Sequence, residues 1–370
     1  MPSAPRAAVE PREDQHDDRS WDVTHGPRKE TALERFSMVL PAVTRVATNV
    51  VGGALVGGGY AMGKVGERFT GCKAVDSASF RSGVQSWMWS NGIVPSVVYE
   101  PLGEAGARAA SWYGTEAAGA EDVRQAPLLV SNHTSYLDGL VLAACLGFPR
   151  VVAMAGTRKV PIVGRLMEDM DCVFVDRSSS DSRQATLEAI GQHCASWAPG
   201  GRPMLIFPEG TTSNGQGILP FRRGAFAAGA PVRPVLLVYT GQWDPASTTW
   251  RATENGLKEL SDAEWAAQFA GTWVHSVHVR VLAPYVPSLE EQRDPALYAQ
   301  NCHAHMATAL ARVRLEVQEG SWKAAAGRAD GGLGYKFGDV ARTLARATKQ
   351  GCCQPGKRQR RAEHEVQVQG

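Results

Sequence analysis

Residues 127–138 read PLLVSNHTSYLD. An apolar run of strand length stops at Ser131, and a polar turn leads into a helical pattern that begins just after Asp138. A strand followed by a turn and a helix is the repeating unit of α/β sheets, whose reactive groups sit beyond the strands' carboxyl ends. The same alternation runs outward from this stretch. Apolar runs predict strands at Pro127–Ser131, Arg150–Met154, Cys172–Val175, Pro203–Phe207, Val232–Tyr239 and Val277–Leu282. Helical stretches are predicted at Gly139–Leu146, Ile162–Met170 and Ser182–Trp197, with Leu187, Ile190, Cys194 and Trp197 forming one apolar face in the last. Asp294-Pro295 opens a closing helix that runs to Val313. The expected class is α/β.

Upstream the text is different. Residues 1–35 mix 8 acidic and 6 basic side chains without apolar periodicity and read as a disordered tail. Between Arg35 and Lys64 the only charged residue is Arg45. That stretch exceeds the roughly 20 residues a membrane span needs, yet it is rich in glycine and carries Thr44, Thr48 and Asn49. A second charge-free run, SGVQSWMWSNGIVPSVVY, follows Arg81, with Trp87 and Trp89 suited to a membrane interface and Pro95 breaking any long helix. Two readings stay open: a pair of buried core helices, or a membrane-associated helical region over residues 36–100. Residues 101–318 then hold the α/β domain, and 319–370 form a basic tail in which Cys352 and Cys353 precede Lys357, Arg358, Arg360 and Arg361. That tail reads either as a solvated terminus or as a second contact with an anionic leaflet.

Composition narrows the function. The chain has 370 residues, 44% hydrophobic and 21% charged, enough for a sizeable core. Its 39 basic residues against 37 acidic ones leave no bulk charge for nucleic acid, so no nucleic-acid partner is expected. Seven cysteines without a CxxC fit a reduced, cytosol-facing protein better than a zinc ribbon or a disulfide scaffold. His275 with His278, and His303 with His305, lack partners at metal spacing, so no metal is expected. There is no GxSxG, and the Walker-like GGYAMGK at 58–64 ends in Val65 where magnesium needs a hydroxyl.

The chemistry therefore returns to residues 132–138. Histidine is the side chain whose ordinary pKa suits proton transfer near neutrality, and Asp138, five residues on, can curl back to fix its tautomer. Read alone, the stretch also fits a capped helix start with an incidental histidine. About 70 residues later FPEGTTSNG, at 207–215, ends another predicted strand with small and hydroxylated residues suited to a phosphate-bearing ligand. Phe174-Val175-Asp176-Arg177 puts an arginine at a third strand end, and PFRRGAF carries Arg222 and Arg223.

In this order the blocks Asn132–Asp138, Phe174–Arg177, Phe207–Thr211 and Val232–Val235 resemble the glycerolipid acyltransferase family, with its NHxxxxD and FPEGT motifs. The extended EGTTSNG…ILPFRRGAF and the later APYVPSLEEQRDPALYAQN are most similar to the lysophospholipid acyltransferase branch. The resemblance spans roughly Phe36 to Arg314. It implies a mixed, largely parallel sheet flanked by helices and preceded by membrane-associated helices. It also implies transfer of an acyl group from acyl-CoA, a co-substrate rather than a bound cofactor, to a lysophospholipid of the choline or ethanolamine type. The setting would be phospholipid synthesis or remodelling at the endoplasmic reticulum membrane, with the site facing the cytosol. His133 would be the base and Asp138 its orienter, Arg177, Gly210, Thr211 and Thr212 would bind substrate, and Glu209 would bind the glycerol hydroxyls or brace the loop. The alternatives are a 1-acylglycerol-3-phosphate acyltransferase, for which Thr212 stands where that branch often has arginine, and an inactive lipid-binding protein.

Overall fold

The computed structural model describes residues 39–115, 119, 122–160, 163–176, 178–240, 245–247, 250–253, 256–259 and 261–320. The predicted N-terminal tail and residues 321–370 of the C-terminal one, with Cys352 and Cys353, lie outside the described residues, as does Arg177.

Two helices come first, α1 (Val39–Thr70) and α2 (Ala78–Ser90). The buried positions of α1 are Pro41, Arg45, Gly52, Gly59 and Gly63, a stripe of mostly small residues on one side. Small residues let the two backbones touch. A Cβ on Gly59 would lie 2.3 Å from the Ser79 carbonyl oxygen, and one on Gly83 would lie 2.6 Å from that of Leu55. The opposite side of α1 presents Val43, Val46, Val50, Val51 and Met62 to the exterior. By length and composition α1 is apolar enough to cross a membrane.

After α2 the chain enters the sheet through β1 (Ile93–Tyr99) and α3 (Gly103–Trp112). Then follow β2 (Leu128–Ser131), α4 (Asp138–Leu146), β3 (Arg150–Met154), α5 (Val163–Asp169), β4 (Val173–Val175), α6 (Ser180–Ser196) and β5 (Met204–Ile206). Strand β6 (Val232–Thr240) precedes a small hairpin of β7 (Trp250–Thr253) and β8 (Gly256–Glu259). The chain closes with α7 (Asp262–Gly271), β9 (His275–Val281), α8 (Leu289–Arg293) and α9 (Pro295–Gln318). The seven-stranded sheet has the order β1-β9-β6-β2-β5-β3-β4. Five strands from β6 to β4 run parallel, β9 is antiparallel to β6, and β1 is parallel to β9. The mixed, largely parallel α/β sheet is therefore as expected. All six predicted strands are present, with ends shifted by at most two residues.

One boundary needs correction. Residues 93–99 were expected inside the helical membrane region, but they form β1, an edge strand paired along its length with β9. Gly92, at φ +69°, makes the turn out of α2; a Cβ there would lie 1.9 Å from the Trp273 carbonyl oxygen. The β-branched residues Ile93, Val94, Val97 and Val98 then favour extension. Pro95 breaks a helix, yet an edge strand tolerates it.

Strand alternation sends side chains into two cores. Leu129, Leu205, Val235 and Leu237 join α2 and α4 on one face of the sheet, packing against Phe80, Met88, Val141 and Leu142. Leu128, Val130, Met204 and Leu236 face α9 on the other, against Tyr298, Cys302, Met306 and Leu310. Burial on both faces explains why these strands read as unbroken apolar runs.

The helical pair is fastened to this body at both ends. The Arg45 guanidinium donates to the carbonyls of Asn91, Ala270, Thr272 and Trp273, neutralising the C-terminal end of α7. Near the far end of α1, Tyr60 donates to Asp169 of α5, and Lys64 pairs with the same carboxylate at 3.2 Å.

Candidate active site

The carboxyl ends of β2, β5 and β6 lie side by side, because these three neighbours are parallel. Each continues into a turn, and the turns are bonded to one another. After β2, the Asn132 side chain takes over the ladder: its Nδ2 donates to the Leu237 carbonyl at 3.0 Å, and its Oδ1 accepts the Leu237 N–H at 2.8 Å. The backbone is thereby free to turn at His133 while β6 keeps a partner.

His133 then meets Asp138. The imidazole Nδ1 lies 2.8 Å from Asp138 Oδ2. Asp138, the first residue of α4, is fully buried, and Oδ2 also accepts the N–H groups of Thr134 at 2.5 Å and Ser135 at 2.9 Å. Those donors hold the carboxylate aimed at the ring. With Nδ1–H bound to Asp138, the other nitrogen, Nε2, is the acceptor. The ring stacks on Phe207 with centroids 4.2 Å apart, and the His133 side chain keeps 22% exposure, enough to meet a ligand.

The turn after β5 supplies the support. Glu209 is buried, and its two oxygens accept the His133 N–H at 2.6 Å and the Leu219 N–H at 2.8 Å. Burial raises its pKa to about 8, the Asp138 charge pushes the same way, and the two backbone donors pull against them. The Ser213 N–H returns a bond to the His133 carbonyl at 2.8 Å, and the Ser247 N–H bonds the Thr134 carbonyl at 3.1 Å.

The residues expected to bind substrate divide accordingly. Glu209 has both oxygens engaged by the protein's backbone, so it braces the turn. Thr212 is buried, with its hydroxyl accepting from Ser247 at 3.3 Å. Thr211 is exposed beside them, and Gly210 turns with φ +75°. A Cβ on Gly210 would lie 2.3 Å from Arg222 Nε, so the guanidinium passes directly over this glycine. Arg222 thereby brings positive charge to the turn after β5, a placement that the spacing of PFRRGAF does not disclose. Arg177 lies outside the described residues, and its neighbour Asp176 accepts from the N–H and hydroxyl of Ser178. Tyr239, at the end of β6, donates to Asp138 Oδ1 at 2.6 Å and was not singled out in the sequence. His275 is buried and His278 half-buried, and loss of solvation lowers their pKa values to about 3 and about 4, which keeps them neutral.

Residues 115–238 match the family model described as Acyltransferase. This stretch is similar to an acyltransferase domain. His133, Asp138, Glu209 and Arg222 all fall within it. The chain is 39% identical over 189 residues to the lysophospholipid acyltransferase LPCAT4 of Mus musculus, covering 50% of this chain and 34% of that protein. It is 37% identical over 188 residues to the human lysophosphatidylcholine acyltransferase 1, covering 50% of this chain and 32% of that one. The chain thus spans about a third of the length of these curated relatives. Among solved structures it is similar to the 1-acyl-sn-glycerophosphate (LPA) acyltransferase PlsC from Thermotoga maritima, at 17% identity and a TM-score of 0.42, over 75% of this chain and 95% of that one. The matched residues hold strands β2 to β5 and most of β6.

Proposed function

We propose that this protein re-acylates a lysophospholipid of the choline or ethanolamine type, using acyl-CoA as acyl donor. The observation that carries the reading is the 2.8 Å contact between His133 Nδ1 and buried Asp138, in an acyltransferase domain. A thioester is already activated, so the protein need not supply a nucleophile. His133 Nε2 takes the proton of the acceptor hydroxyl as its oxygen attacks the thioester carbonyl. Asp138 stabilises the imidazolium that forms. Collapse of the tetrahedral intermediate breaks the carbon–sulfur bond, and His133 returns the proton to the departing thiolate. Arg222, over Gly210, is placed to attract the acceptor's phosphate, together with Thr211 and, as the sequence resemblance implies, Arg177.

The apolar exposed face of α1 supports a membrane setting. Arg45 and Tyr60 are 15 residues apart on this helix, about 22 Å at 1.5 Å per residue, and both are fastened to the same globular body. A helix held at two such points lies along that body, so its exposed valine face enters the lipid sideways. The active site faces the cytosolic pool of acyl-CoA at the endoplasmic reticulum.

The test is a panel of lysophospholipids offered with labelled oleoyl-CoA to the full chain in membranes. Labelled phosphatidylcholine or phosphatidylethanolamine is the expected product. Exclusive labelling of phosphatidate would mean a 1-acylglycerol-3-phosphate acyltransferase instead. No labelled glycerolipid at all would overturn the enzymatic reading.

A further inference from the structure

The dyad accounts for one oxygen of Asp138. The other, Oδ1, accepts the Tyr239 hydroxyl at 2.6 Å. Tyr239 comes from β6, far from the NHxxxxD stretch in sequence, and its placement follows from strand geometry. Val235 and Leu237 face the core layer that holds α4, so Tyr239, two residues on, faces it as well. Asp138 is the first residue of that helix. The same strand therefore holds both ends of the motif. The Leu237 backbone holds the Asn132 side chain, and the Tyr239 hydroxyl holds Asp138.

Two physical effects follow. A carboxylate fastened through one oxygen alone can rotate about its terminal bond. A donor on Oδ1 stops that rotation and keeps Oδ2 directed at the imidazole. A hydrogen bond to Oδ1 also draws negative charge away from Oδ2, which lowers the carboxylate's hold on an imidazolium. Tyr239 is suited to be a permanent donor, because burial and the neighbouring Asp138 charge keep its phenol protonated. The Ser135 side chain hydrogen-bonds the phenol in turn.

We propose that Tyr239 is a positioning residue of the active site, which orients Asp138 and sets the basicity of His133. The proposal rests on the reading of His133 as the base. Besides His133 and Asp138, the titratable groups facing this cluster are Glu209, from the turn after β5, and Cys145, from α4, which lies beside the phenol. Neither is changed by removing a tyrosine hydroxyl.

The experiment is Tyr239→Phe in the full chain, read three ways. Steady-state acylation across pH 5 to 9 gives kcat, KM and the acid limb of the profile, and NMR titration of labelled histidine, with the His133 signal assigned from His133→Ala, reads the imidazole without catalysis. The expected result is a kcat lowered about tenfold, the scale of one hydrogen bond to a charged group, with both KM values within about twofold. The acid limb and the His133 titration should both move to higher pH. Ser135→Ala, a smaller change, should move the titration the same way by less, which keeps the test open if the phenylalanine variant folds poorly. An unchanged kcat and an unchanged titration would overturn the role of Tyr239, as would a loss confined to KM. Full turnover in His133→Ala would instead overturn the base itself, so the two failures are distinguishable.

Discussion

Asn132 and Leu237 exchange two hydrogen bonds, side chain to backbone, at 3.0 and 2.8 Å. The asparagine is fully buried, so its amide behaves as a surrogate peptide group that extends β6 past the end of β2. Asn132→Asp would set a carboxylate oxygen against the Leu237 carbonyl. Loss of about 1–3 kcal/mol of stability is expected, measurable by urea unfolding. The sequon Asn132-His133-Thr134 should carry no glycan in the folded protein, and mass spectrometry of the tryptic peptide checks this.

For the dyad, His133→Ala should lower turnover by about two orders of magnitude or more with little change in protein yield. Asp138→Asn leaves the imidazole in place but removes its anionic partner, so kcat should fall further than acyl-CoA affinity. Turnover assays alongside equilibrium acyl-CoA binding separate the two quantities.

Glu209 makes stability depend on pH in a definite direction. Its folded pKa, about 8, stands above the ordinary 4.5. Below 4.5 both states hold the proton. Between 4.5 and 8 the unfolded chain has released it and the folded one has not, so this group's contribution falls as pH rises and levels off above 8. Glu209→Gln abolishes that slope but turns an amide N–H toward a backbone donor, so the variant starts less stable. Denaturant midpoints at pH 5, 6.5 and 8 should show its deficit shrinking as pH rises.

Gly210→Ala should cost about 1–2 kcal/mol for the left-handed backbone alone. Its methyl group would also displace Arg222. A higher KM for the lysophospholipid, with the acyl-CoA KM unchanged, is the expected kinetic signature.

The membrane face can be tested without touching the site. Val46 and Val50 are exposed on α1 and point away from the stripe that packs on α2. Val46→Lys combined with Val50→Lys should release the protein from membranes at alkaline pH without lowering its melting temperature. Arg45→Ala should do the reverse, loosening the fold through its lost bonds to Asn91 and the end of α7.

Sequence pattern revealed most of the sheet because its central strands are buried on both faces and therefore read as apolar runs. It concealed β1, since a charge-free stretch with tryptophans and a proline looks equally like interfacial helix and edge strand. The hairpin β7–β8 has no comparable apolar signature. His133 and Asp138 were legible because they are five residues apart and close within one turn. Glu209 was legible as a site residue with two roles open, and the choice of bracing over hydroxyl binding depends on two backbone N–H groups from other segments. Tyr239 gave no signal, because a tyrosine ending an apolar strand is an ordinary core residue until its partner is located. Arg222 became distinctive only through the missing Cβ of Gly210.

The turns that follow β2 and β5, and the segment at Ser247, are cross-braced through the backbone of His133 and Thr134. This bears on how substrate preference can be transplanted between relatives. Grafting one loop alone would sever braces at both of its ends and leave the imidazole without support. The smallest exchangeable piece is therefore all three segments together, and chimeras built on that unit should retain activity where single-loop chimeras lose it.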